Sequence, residues 1–137
     1  MTIEMYCPKC DYTGTVSEEN QIKIKELFEE FLSNDENFAT PNNWNCTARS
    51  TYEQKSNYSA PWQEFLDLIK DNINEFMEEV HPQIDVEIQP HEAWANRYSK
   101  GEYQEYHTHS SPMCNISMVY FYKENENTHF RLCDNDH

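Results

Sequence analysis

The spacing of apolar residues changes near Pro82, and this change constrains the fold more than any other feature of the sequence. Before Pro82, apolar residues recur every three or four positions, which is typical of amphipathic helices. From Ile84 onward they recur at every second position, which is typical of strands. The sequence therefore predicts an α+β protein in which two amphipathic helices pack on a mainly antiparallel sheet.

Both helices are predicted in the first half of the chain. The first covers about residues 18 to 33 and follows two candidate N-caps, Thr15 and Ser17. The second begins near Pro61 and is stopped by Pro82. We interpret the apolar stripes of both helices as core; they comprise Ile24, Leu27, Phe28, Phe31 and Leu32, then Trp62, Phe65, Leu66, Ile69, Ile73, Phe76, Met77 and Val80.

The sheet is predicted from residues 44 to 51, which alternate apolar and polar side chains, and from residues 84 to 133. Within the second stretch, Asn115 to Tyr122 is apolar on both faces. A long apolar strand with an open edge invites pairing with another chain. We therefore expect a homodimer, or a partner that covers this edge.

The formal net charge of −15 argues against nucleic acid or an anionic membrane surface as a partner. No apolar run approaches the roughly 20 residues that span a bilayer, and the first residues do not resemble a signal peptide. Five cysteines are an odd number, which does not suit a secreted disulfide framework. With only two glycines, the chain contains neither a P-loop nor a Rossmann fingerprint. These features together predict a soluble cytoplasmic protein.

His107 and His109 form a candidate metal site. Side chains at positions i and i+2 of a strand project from the same face, so the two imidazoles can bind one ion. A complete site needs a third protein ligand. The alternative is an exposed, solvated pair. The tyrosines nearby favour a ligand-binding pocket. The same tyrosines are equally consistent with packing within the sheet.

Cys7-Pro8-Lys9-Cys10 is a second candidate metal site and looks like one knuckle of a zinc ribbon. Two thiolates at this spacing can bind one tetrahedral zinc ion, but a structural site needs two more ligands. Cys46, Cys114, Cys133 or a histidine can supply them, or two chains can contribute a pair each. A redox-active pair and simple buried thiols are the alternatives.

The frame Tyr98-x-x-Gly101 followed by His107-x-His109 resembles a known metal motif. The motif that it resembles is the first metal motif of the prolyl-hydroxylase-like Fe(II)/2-oxoglutarate-dependent oxygenases, which carry Y-x-x-G and then H-x-D. Residues 93–96, just before this frame, and residues 117–120, just after it, are similar to a small oxygenase subfamily of marine bacteria and their phages. The resemblance covers about residues 84 to 123.

This resemblance implies a partial double-stranded β-helix, or jelly roll, that binds Fe(II) and 2-oxoglutarate and hydroxylates a small-molecule or protein substrate. It implies that His107 is the first iron ligand and that His109 occupies the position of the usual carboxylate. It also places Asn96, Tyr103 and Tyr120 in the cosubstrate pocket. For a phage-encoded chain, the expected location is the host cytoplasm.

The family pattern continues with a distal iron-binding histidine and then a basic residue that pairs with 2-oxoglutarate. Here the chain ends at His137, and Arg131 is its last basic residue. Three alternatives follow: a truncated descendant, a second chain that supplies the missing strands, or a substitute role for His129 to His137.

Two function classes are consistent with this sequence. One is an Fe(II)/2-oxoglutarate-dependent dioxygenase. The other is a catalytically inactive oxygenase-fold remnant that acts as an acidic, zinc-stabilised protein-interaction module. In both cases we expect one domain over residues 1–137. Its parts are a Cys knuckle at 1–16, a helical half with one strand at 17–82, and a β-helix-like half at 83–137.

Overall fold

A computed structural model describes residues 12–80, 89–105 and 116–123 of the chain. The chain divides into two units, Met1–His107 and Thr108–His137.

Helix α1 covers Glu18–Ser33, which confirms the first predicted helix. The Ser17 hydroxyl accepts a hydrogen bond from the Asn20 backbone N–H at 3.3 Å, so Ser17 is the N-cap. The last four carbonyls of a helix have no partner within the helix. One of them, the Phe31 carbonyl, accepts from the side-chain amide of Asn37 at 2.7 Å. In this glycine-poor chain, a side chain thus closes the end of the helix.

The second predicted helix is divided in two, so the prediction of one continuous helix is wrong. Helix α2 covers Trp62–Leu68 and helix α3 covers Lys70–Val80. The break lies at Ile69, whose backbone N–H donates to the carbonyls of both Phe65 and Leu66 at 3.2 and 3.3 Å.

A contact from α1 gives the physical reason for this break. The side-chain amide of Asn20 donates to the Leu68 carbonyl at 2.8 Å. A side chain that inserts into the backbone ladder of a helix bends or interrupts it. Ile69 itself is 3% exposed, so the interruption leaves this side chain in the core.

The predicted apolar faces are confirmed for the side chains that the structure describes. Phe28 on α1 is 4% exposed, and its ring centroid lies 5.2 Å from that of Trp62 and 5.8 Å from that of Phe65. These contacts pack α1 against α2. The buried apolar residues are Ile24, Phe28, Phe38, Ala48 and Ile69.

Across the described residues, the strands form one two-stranded antiparallel sheet. Strand β1, Arg49–Ser50, pairs with strand β2, Asn96–Arg97, in the register Arg49 with Arg97 and Ser50 with Asn96. An isolated bridge also joins Ser50 to Ala39. Helices and an antiparallel sheet together confirm the α+β class.

Strand β1 is much shorter than the predicted strand over residues 44 to 51. The backbone N–H of Trp44 donates to the Pro41 carbonyl at 3.1 Å, which forms a turn. The N–H of Asn45 donates to the Glu105 carboxylate at 3.0 Å. Alternation predicts a strand, but backbone groups that bond to turns and side chains cannot also form a ladder.

A partly buried hydrogen-bond network joins the sheet to α2. The Thr51 hydroxyl donates to Asn57 Oδ1 at 2.7 Å and accepts from the Ala95 N–H at 2.9 Å. The Asn57 amide donates to the Ala93 carbonyl at 2.8 Å, and the Asn57 carbonyl accepts from Trp62 Nε1 at 3.0 Å. The network runs from Ala95, next to β2, to Trp62 at the start of α2.

The predicted sheet in the second half of the chain is not found where the structure describes residues 116–123, and other predicted strands lie outside the described residues. No residue of 116–123 belongs to a strand, so the predicted strand over Asn115 to Tyr122 is not found in its described part, and several apolar side chains of this segment are about half exposed. An apolar run forms such a strand only where other elements cover both of its faces. The predicted strands at 84–88 and 129–133 lie outside the described residues.

Candidate functional site

The candidate site is built where the chain leaves β2, turns and returns to the β1 side. Beyond the β1–β2 pair, the N–H of Thr47 donates to the Tyr103 carbonyl at 3.3 Å. The Tyr103 N–H donates to the Thr47 hydroxyl at 3.2 Å. Residues 98–102 therefore form an excursion whose two ends lie on the same segment, residues 47–50.

A tight turn closes this excursion. The Glu102 N–H donates to the Ser99 carbonyl at 3.0 Å, and the Ser99 N–H donates to the Glu102 carboxylate at 2.7 Å. Gly101 has a φ of +83°, which a type II turn requires at its third position. Glycine adopts this conformation without steric cost.

Replacing Gly101 by alanine should therefore lower the free energy of unfolding by about 1–2 kcal/mol. The added Cβ meets no atom within 4 Å, so backbone conformation alone would cause the loss. Chemical denaturation measures it. Lys100→Ala is the control, because Lys100 is exposed in the same turn; an equal loss in both variants would contradict the explanation.

Three polar side chains meet beside this turn, and we call them the Gln104 cluster: Asn96, Tyr98 and Gln104. The Tyr98 hydroxyl donates to Gln104 Oε1 at 2.8 Å, and the Asn96 amide donates to the same oxygen at 3.5 Å. Asn96 and Tyr98 are two positions apart on extended backbone, so they share a face. The turn at Gly101 returns Gln104 to that face.

A thiol and a carboxylate lie close to the Gln104 cluster. Burial raises the pKa of the Cys46 thiol, and the charge and hydrogen bond of Glu105 raise it further. Burial also raises the pKa of the Tyr98 hydroxyl, with contributions from Cys46 and Glu105. Both groups are therefore protonated at neutral pH and serve as hydrogen-bond donors.

The raised pKa values predict a loss of stability at alkaline pH. In the unfolded chain, these groups ionise at about their ordinary values of 9.0 for the thiol and 10.0 for tyrosine. The folded chain holds these protons to higher pH, so unfolding releases protons there and the free energy of unfolding falls as pH rises above about 9. Denaturation at pH 8 and pH 10.5 measures the fall. It should shrink in the double variant of Cys46→Ser and Tyr98→Phe; an unchanged fall would contradict the assignment to these groups.

The structure places the predicted site residues as follows. Asn96 lies in β2, and Tyr103 lies on the returning segment with its side chain 57% exposed. Both segments lie against residues 47–50. Tyr120 belongs to the other unit, where burial and Tyr122 raise its pKa. Four predicted metal ligands lie outside the described residues: Cys7, Cys10, His107 and His109.

Sequence analysis did not single out Gln104 or Glu105, and it considered Cys46 only as one of several residues that could complete the zinc site. The sequence contained a weak indication of Gln104. It lies three positions after Gly101, and a tight turn at Gly101 would bring a residue at that position back beside Tyr98. Nothing in the sequence placed Cys46 beside Glu105, since they are far apart in the chain and the pairing of Thr47 with Tyr103 brings them together.

Other surfaces of the described residues offer less chemistry. Two open clefts lie on the helical side, one beside Glu18 and Lys25 and one beside Asn20 and Asp71. Within residues 12–80, 89–105 and 116–123, no three His, Cys, Asp or Glu side chains are close enough to hold a metal ion together. In the same part of the chain, no helix combines the length and the apolar character needed to cross a membrane.

Comparison with known proteins returns no relative. No protein-family model matches the chain, and no curated protein or solved structure matches it either.

Proposed function

We propose that this chain is an Fe(II)/2-oxoglutarate-dependent dioxygenase that hydroxylates a small-molecule or protein substrate. In this proposal the chain adopts a partial jelly roll, and His107 and His109 bind the iron. The proposal includes a cytoplasmic location, in keeping with the Cys46 thiol, which is not in a disulfide.

The Gln104 cluster is the observation that carries the proposal. Asn96, which the oxygenase resemblance assigns to the cosubstrate pocket, shares Gln104 Oε1 with the tyrosine that opens the Y-x-x-G frame. The turn at Gly101 returns Gln104 to this face, and Gln104 lies three positions before His107 in the sequence. A hydroxyl and an amide on one face, a few residues before two imidazoles, match the kind of groups that a bound oxo-acid requires.

The chemistry of these residues fits the proposed cofactors. Neutral imidazoles are suitable ligands for iron. The Tyr98 hydroxyl stays protonated at neutral pH and donates its one proton to Gln104 Oε1; on cosubstrate binding that proton would turn to a carboxylate or keto oxygen. When bound, Fe(II) and 2-oxoglutarate supply the oxidation: one oxygen atom of O₂ enters the substrate as a hydroxyl group, and the other joins 2-oxoglutarate as it loses CO₂ and becomes succinate.

The cation that binds the distal 2-oxoglutarate carboxylate is not one of the described arginines. Arg97 pairs with Asp35 at 2.8 Å and lies 4.2 Å from the ring centroid of Phe38. Arg49 donates to the carbonyls of Asp35 and Phe38 at 3.3 and 2.9 Å. Both guanidinium groups hold the 35–38 segment on the sheet, so neither is available for a cosubstrate carboxylate.

The test is turnover of 2-oxoglutarate by the full chain loaded with Fe(II). We expect oxygen-dependent formation of succinate, slow without substrate. Tyr98→Phe should raise the KM for 2-oxoglutarate more than it lowers kcat, because it removes one donor to the cosubstrate. Tyr58→Phe is the matched control, since Tyr58 is 87% exposed. No succinate from an iron-loaded wild-type protein would contradict the proposal.

A second candidate function is an acidic, zinc-stabilised interaction module, and the 116–121 segment favours it. Ile116, Met118, Val119 and Phe121 each expose between 43% and 51% of their surface. Exposed apolar patches commonly mark protein–protein contacts. In this reading Cys7 and Cys10 bind zinc, and a second copy of the chain covers the apolar segment.

Light scattering tests this second candidate. We expect a dimer at micromolar concentration and a monomer for the double variant of Met118→Lys and Val119→Lys. A wild-type mass of 16.4 kDa throughout this concentration range would contradict it.

A further inference from the structure

Three aromatic rings form a cluster on the first unit that the proposed function does not use. The Trp44 and Tyr52 rings are stacked, with centroids 5.7 Å apart and planes at 21°. The Trp94 ring meets Tyr52 at 4.9 Å and 63°. We call these residues the Trp44–Tyr52–Trp94 cluster. All three are only partly buried, unlike Phe28 in the core.

The backbone beside this cluster carries an unusual residue. Gln54 N–H donates to the Thr51 carbonyl at 3.0 Å, which closes a turn with Glu53 at its third position. Glu53 has a φ of +62°, a conformation that favours glycine. Non-glycine residues with this backbone conformation are often found at active sites and ligand-binding sites, where the surrounding structure maintains the strained conformation.

Two carboxylates give the cluster a negative field. Glu53 and Glu92 are exposed, and neither takes part in an ion pair among the described residues. Burial raises the pKa of the Tyr52 hydroxyl, and the charges of Glu92 and Glu53 raise it further. Both carboxylates therefore act on the central ring of the cluster.

We propose that the Trp44–Tyr52–Trp94 cluster binds an organic ammonium ion, whose charge is complemented by Glu53 and Glu92. A cation is attracted to the negative face of an aromatic ring, most strongly to tryptophan, and alkylated ammonium groups also bury their methyl groups against the ring. Neighbouring carboxylates add a direct attraction that a neutral ligand of the same shape lacks. This site is independent of the proposed oxygenase chemistry.

Saturation-transfer NMR on the full chain tests the proposal, with tetramethylammonium chloride as the probe and tert-butanol as a neutral probe of similar shape. We expect transfer to the tetramethylammonium methyl groups and much less to tert-butanol. Neutralising the pair with Glu53→Gln and Glu92→Gln should weaken binding about fivefold, as expected for loss of a solvated charge pair.

The matched control neutralises two exposed carboxylates elsewhere, Glu29 on α1 and Glu78 on α3, and changes the net charge equally. Binding should remain as in the wild type. Equal weakening in both double variants would mean attraction by net charge alone and would overturn the proposal. Equal transfer to both probes would also overturn it.

Glu53→Gly separates binding from folding. Glycine suits the positive φ, so the melting temperature should rise while tetramethylammonium binding weakens. Loss of binding in a more stable protein would exclude misfolding as its cause. A variant that is more stable and binds the probe as well as the wild type would overturn the role of Glu53.

Discussion

Replacing Phe28 by alanine should lower the free energy of unfolding by about 3–5 kcal/mol, the largest stability change we expect from one substitution. Phe28 is 4% exposed and contacts three other rings, those of Phe31, Trp62 and Phe65, at centroid distances of 5.2 to 6.4 Å. Alanine would remove the transfer free energy of the ring and leave a cavity between α1 and α2. Typical domains are stable by about 5–15 kcal/mol, so this loss approaches complete unfolding.

Urea denaturation followed by circular dichroism measures this change. Tyr58→Ala is the matched control, because it also removes an aromatic ring but from a side chain that is 87% exposed. Its effect should stay within about 0.5 kcal/mol. A loss below about 1 kcal/mol for Phe28→Ala would contradict the packing of α1 on α2 around this ring.

Replacing His107 by alanine should abolish Fe(II) binding, the largest functional change that follows from the proposed dioxygenase. His109→Ala should weaken binding less, because the oxygenase resemblance assigns His107 the principal role. Anaerobic calorimetric titration with Fe(II), with and without 2-oxoglutarate, measures both. His91→Ala is the control, since His91 is exposed and outside the motif. Undiminished binding by the His107 variant would contradict the assignment.

Two further measurements separate the iron site from the cysteine pair. Imidazoles must be deprotonated to bind a metal, so iron occupancy should fall as pH drops through about 6.5. Substituting Cys7 and Cys10 should leave iron binding unchanged and remove any bound zinc. Loss of iron in the cysteine variant would contradict two separate sites.

Helix α1 shows how much a local pattern can predict. Its bounds, Glu18–Ser33, and its N-cap depend on contacts within one or two turns, such as the hydrogen bond from Asn20 to Ser17. Its apolar stripe follows from the 3.6-residue period alone. The apolar face of α2 and α3 was predictable for the same reason.

The break at Ile69 was not predictable, because its cause lies in another helix. The Asn20 side chain reaches the Leu68 carbonyl across a gap of 48 positions in the sequence, and no pattern within residues 61–81 reports this contact. The short strand β1 has a similar origin. Residues 44–47 alternate as a strand does, but the N–H groups of Trp44 and Asn45 bond to a turn and to Glu105.

The candidate site also combines features that a local pattern predicts with features that depend on long-range contacts. The sequence by itself determined the helices, since they follow from side-chain period, and it supplied the glycine that adopts a positive φ at position 101. Only the tertiary structure decided that Asn96 and Tyr98 share Gln104, and that Cys46 lies beside Glu105. These contacts require the pairing of residues 47–50 with 96–103, and long-range pairing depends on the free energy of the whole fold rather than on any local pattern.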